Sequence, residues 1–73
     1  MSDLDARLLA AHATGDRVAL AALYEEAADA AGDEDACGFY LTHAYVYALE
    51  AGLPQADRLR ERLAAMGRET PEV

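Results

Sequence analysis

Apolar residues recur along this chain at helical spacing, broken by glycine at each expected turn. Leu4, Leu8 and Ala11 stand at i, i+4 and i+7 with Leu9 beside them, which predicts a first helix over residues 3–13. Ser2 suits its N-cap, and Asp3 and Asp5 fall in the first turn, where negative charge complements the helix dipole. Gly15 marks its close, and Asp16 can cap a second helix over residues 17–31. The second helix carries an apolar line of Leu20, Leu23 or Tyr24, Ala27 and Ala31, with Glu25, Glu26 and Asp29 facing out. Gly32 is expected to end it, and Asp33 to cap the next helix with Glu34 and Asp35 in the first turn.

The stretch from Glu34 to Ala51 differs from the rest. Apolar side chains occur on every side of it, interrupted mainly by Thr42, His43 and Glu50. A helix apolar almost all round is usually a buried one, so this third helix is expected to be central. Gly52 followed by Leu53 and Pro54 fits a Schellman close, with Pro54 suited to the first turn of a fourth helix. Ala56, Leu59, Leu63 and Met66 then form a narrow stripe with the arginines off it, and Gly67 stops the helix. The pattern predicts an all-α fold: one domain over residues 1–67, four helices in two antiparallel hairpins, and a tail over 68–73 expected to fray. With only three other helices to cover the third, either the four close into a bundle or an apolar face stays open, the mark of an interface. The anchors of the core are expected among the leucines, Val18, Val46, Phe39 and the tyrosines at 24, 40, 45 and 47.

A shift of 37 positions pairs Leu4 with Leu41, Leu8 with Tyr45, Ala11 with Ala48 and Gly15 with Gly52. The paired glycines fall at both predicted hairpin turns. Tyr40, Ala44, Tyr47, Ala51 and Ala56 also follow the large-small-Tyr-small-Ala spacing of a tetratricopeptide (TPR) repeat, so the second hairpin resembles that family. Arg60, Leu63 and Arg68 depart from its pattern, the first hairpin barely keeps it, and the period exceeds the usual ~34. The resemblance implies a binding surface without catalysis, lined by the first helix of each hairpin. Its positions here are Leu41, Tyr45, Ala48 and Leu49, continued by Leu8 and His12. The same residues equally fit burial against helix 1 or against a second copy of the chain, as a homodimer.

Composition sharpens this picture. The chain of 73 residues is 53% hydrophobic, much of that alanine, which favours helix and close helix contact but fills a core poorly. Fourteen acids face six bases, all arginine, for a formal charge of −8. That charge argues against nucleic acid and anionic membranes as partners and favours a basic protein. The acids lie mostly before residue 58, whereas Arg58, Arg60, Arg62 and Arg68 make the last helix the only basic part. No apolar run is long enough to span a membrane, and the acidic start is wrong for a signal peptide. The single cysteine fits a reducing, cytoplasmic setting, and arginine in place of lysine with abundant alanine points to a GC-rich bacterial genome.

Candidate chemistry is sparse. His12 and His43 lack the spacing of a zinc site, and no metal or cofactor is expected. Cys37 has no CxxC partner and reads as a packed thiol. Tyr40 and Tyr47 have core spacing, which leaves Tyr45 as the tyrosine best placed to bind a partner. Arg58 and Arg62, at i and i+4, are expected to balance acidic helices 2 and 3 or solvate a surface. No phosphate loop, nucleophile elbow or triad spacing is present. The expected role is a non-enzymatic protein–protein interaction module, self-associating or peptide-binding through the helix 1/helix 3 face. The alternative is a small acidic regulator that docks on a basic protein.

Overall fold

A computed structural model of the chain describes residues 3–68. Four helices make up the fold: α1 (Asp3–Thr14), α2 (Arg17–Ala30), α3 (Glu34–Glu50) and α4 (Gln55–Ala65). The expected Ser2 cap and positions 69–73 of the expected tail lie outside the described residues; Arg68, the first residue of that tail, is held by its amide on Leu63 O and by Asp35 rather than frayed. Asp16 accepts a hydrogen bond from the Ala19 amide at 3.1 Å, and Asp33 from the Ala36 amide at 2.8 Å, as N-caps should.

The two hairpin turns are copies of one another. At the first, Gly15 N–H donates to His12 O and Asp16 N–H to Ala11 O; at the second, Gly52 N–H donates to Leu49 O and Leu53 N–H to Ala48 O. Each is a Schellman close, and Gly15 (φ 66°) and Gly52 (φ 65°) adopt the left-handed conformation it requires. The end of α2 differs from expectation. The helix stops one residue early, with Ala31 already extended (φ −67°, ψ 140°), and Gly32 is not left-handed. Asp33 follows in the extended conformation of an N-cap, so the link between hairpins has no Schellman close.

Each helix packs against its neighbours in the chain, α1 on α2, α2 on α3 and α3 on α4. The Cα atoms fill a slab of 31 × 29 × 15 Å. A closed two-by-two bundle would be narrow in two directions, so the helices form an open array. The main core joins α2, α3 and α4 through Ala21, Ala28, Leu41, Ala44, Tyr45, Ala48, Ala56, Leu59 and Leu63. A smaller cluster of Ala11, Leu20 and Leu23 holds α1 to α2. Alanines line much of both clusters, which lets the helix backbones approach closely.

Ion pairs tie α4 to α2. Arg58 pairs with Glu25, and Arg62 reaches both Glu25 (3.1 Å) and Asp29 (2.8 Å). Glu25, expected on the solvent side, is therefore tucked beneath two guanidinium groups. These pairs realise the charge balance expected of Arg58 and Arg62.

Several expected anchors lie outside the core. Val18 and Phe39 are 55% and 57% exposed, and Val46 is exposed as well. Leu9 is also exposed. The reason is coverage: α2 and α4 cover only part of the circumference of α3, and no helix lies over the sector holding Phe39 and Val46.

Candidate functional site

The uncovered side of α3 carries Asp35, Phe39, Thr42, His43, Val46 and Glu50, which follow one another at three- and four-residue steps along one face. Two side chains on it are fixed by the helix itself. Thr42 Oγ1 donates to Gly38 O at 2.9 Å, and His43 Nδ1 lies 2.9 Å from Phe39 O. A carbonyl only accepts, so Nδ1 carries the proton in that contact and Nε2 is left for other partners. The Phe39 and His43 rings lie 4.4 Å apart. Thr42, His43, Val46, Tyr47 and Glu50 line an open concavity of about 430 Å³.

Beside this face stands a panel of rings centred on Tyr24 of α2. Tyr47 stacks on Tyr24 at 5.7 Å with planes 11° apart, His43 lies at 5.1 Å and Tyr40 at 6.2 Å. From α1, His12 Nε2 sits 2.8 Å from the Tyr24 hydroxyl, and its ring meets Tyr24 and Tyr47 edge-on. The panel thus links side chains of α1, α2 and α3. Each favourable ring pair adds about 0.5–1.5 kcal/mol beyond its buried area. Burial raises the ionisation of the Tyr24 phenol above its ordinary 10.0, with Tyr47 and Tyr40 adding to the shift. The panel therefore presents a neutral hydroxyl throughout the physiological range.

The residues singled out from the sequence are dispersed by the fold. Leu41, Tyr45 and Ala48 are buried in the main core between α2, α3 and α4. Leu49 is half-buried at its edge, and Leu8 packs half-buried against the α1–α2 cluster. His12 alone joins the ring panel. Tyr45, expected at the surface, is interior, whereas Tyr40 and Tyr47 pack half-buried against the main core as expected and also reach the panel. The polar interruptions held the missing signal. Thr42, His43 and Glu50 all fall in the sector that also holds Phe39 and Val46.

A second concavity, of about 480 Å³, lies where Cys37 meets Asp33, Glu34, Arg62 and Met66. Its arginine is already held by Glu25 and Asp29, and Cys37 is a half-buried free thiol packed against the core. Among the described residues no group of three or more His, Cys, Asp or Glu side chains is placed to hold a metal ion, and no helix is long and apolar enough to cross a membrane. No protein-family model, curated protein or solved structure matches this chain.

Proposed function

We propose that the chain is a non-catalytic protein-binding module that works through the uncovered face of α3. The carrying observation is the contrast around that one helix. Leu41, Ala44 and Ala48 are 0% exposed on one side, while Phe39 is 57% and Val46 37% exposed on the other. Scattered apolar residues on a surface need no explanation, but these share one face and adjoin His43, Tyr47 and the ring panel. Aromatic rings that are held in place offer large contact area at little entropic cost on binding. A TPR-like role for the paired hairpins agrees with the two equivalent turns, and a bacterial, cytoplasmic setting agrees with the composition.

Site-specific photo-crosslinking tests the reading. A photoreactive residue at position 46 should form a discrete protein adduct in cells, either with another protein or with a second copy. The same residue at position 60, on the outer side of α4, should not. Equal or absent labelling at the two positions would remove this face as an interface.

A further inference from the structure

The open face of α3 has acids at both ends of an apolar, aromatic middle. Asp35 stands one turn before Phe39, and Glu50 one turn after Val46. The chain has little positive charge left to offer an acidic visitor. Arg7 pairs with Asp3 and Glu26, Arg58 and Arg62 with Glu25, and Arg60 with Asp57. Arg17 and Arg68 sit on Glu50 (3.5 Å) and Asp35 (3.0 Å) themselves. The Arg17–Glu50 pair is exposed, contributes little and exchanges readily for an incoming cation, whereas the half-buried Arg68 lies against Gly38 and has to be displaced from Asp35. The formal charge of the whole chain is −8.

Resting on the reading of this face as an interface, we infer that its occupant is a cationic amphipathic helix of another protein rather than a second copy of this chain. Two copies pairing through α3 in antiparallel fashion bring Asp35 of one against Glu50 of the other. Parallel pairing brings each acid against its own equivalent. Both arrangements bring two acids together at each end of the patch, each with one arginine already beside it, while doubling an already large negative charge. A basic helix meets none of this. Its apolar stripe lies along Phe39 and Val46, its Lys or Arg side chains reach Asp35 and Glu50, and cations near the middle meet the faces of the Phe39 and Tyr47 rings. The span from Asp35 to Glu50 is about four helical turns, which sets the length of the segment recognised.

The test uses three labelled peptides of about fifteen residues, titrated against the intact protein by fluorescence anisotropy. One is a Leu/Lys helix with leucines at i, i+3, i+4 and i+7; one is its scrambled isomer; one is the same pattern in Leu/Glu. The patterned Leu/Lys peptide should bind saturably, at least about tenfold tighter than either control, and lose about tenfold or more in affinity between low and roughly half-molar salt. Phe39→Ser and Val46→Ser should each weaken it several-fold with helical circular dichroism unchanged. Scrambled and patterned Leu/Lys peptides binding alike, or indifference to Phe39→Ser, would overturn the inference, because attraction to charge alone explains that result. Sedimentation on the same samples separates the two levels of the argument. A dimer abolished by Phe39→Ser, with no peptide binding, would overturn the cationic occupant and leave the interface standing. A monomer that binds no peptide and gives no crosslink at position 46 would remove both.

Discussion

Helices α1 and α3 are equivalent positions of one pattern with different fates. Their closing turns make the same pair of hydrogen bonds 37 residues apart, and Ala11 and Ala48 are buried alike. Yet Leu4 and Leu8 stay half-buried, whereas their counterparts Leu41 and Tyr45 are interior. The residues do not explain this, since Leu4 and Leu41 are the same type. The neighbours do: α3 is flanked by both α2 and α4, and α1 by α2 alone. Burial in such an array belongs to the place in the row.

That comparison can be broken most directly at the matched leucines. Leu41→Ala should cost about 2–5 kcal/mol. This rivals the whole ~3–5 kcal/mol expected of one small core, so the variant should be largely unfolded in a urea titration at room temperature. Leu4→Ala should cost under about 1 kcal/mol by the same measurement, because less of the side chain leaves water. Equal losses would show that α1 is as well anchored as α3.

The turns sharpen the comparison. Gly15→Ala and Gly52→Ala each force a Cβ into left-handed backbone, at about 1–2 kcal/mol. Similar drops in melting temperature would confirm that the two closes are energetic as well as geometric copies. Glu25→Ala should cost about 1 kcal/mol or less, with the gap from wild type narrowing in high salt, since it frees the exposed Arg58 and leaves Arg62 held to α2 by Asp29. Tyr24→Phe should change least at neutral pH. The wild-type phenol ionises above its ordinary range when folded, so the stability it contributes is complete below that range and is lost as pH rises through the raised value. An absorbance titration should show a phase above the ordinary tyrosine range, and Tyr24→Phe should remove that phase and flatten the alkaline fall in stability.

Local features were legible in the sequence. Caps at Asp16 and Asp33 and closes at Gly15 and Gly52 are set by hydrogen bonds spanning a few residues, so residue type alone fixes them. The order of helices and their pairing into hairpins followed from those punctuation marks. The exposed face of α3 was marked only by its polar interruptions, Thr42, His43 and Glu50, because apolar residues on all sides of a helix have no period to show which side is covered. Seating α2 and α4 decides it, and that is a property of packing among helices. The stacking of Tyr24 on Tyr47 is likewise a meeting of residues distant in sequence, with no local trace.

The nearest-neighbour order of the helices also bears on how the chain opens and closes. Contacts between elements adjacent in sequence need little loop closure, which places folding among the fast helical domains. Opening should be graded along the row. Held by the smaller cluster, whereas α4 shares the main core and its ion pairs to α2, α1 detaches at the least expense, and its amides should exchange hydrogen fastest. The middle of α3, held on two flanks, should exchange only when the whole array dissolves. The face proposed to receive a partner is thus carried on a helix expected to exchange slowly, a rigid platform in a row whose first helix is free to breathe.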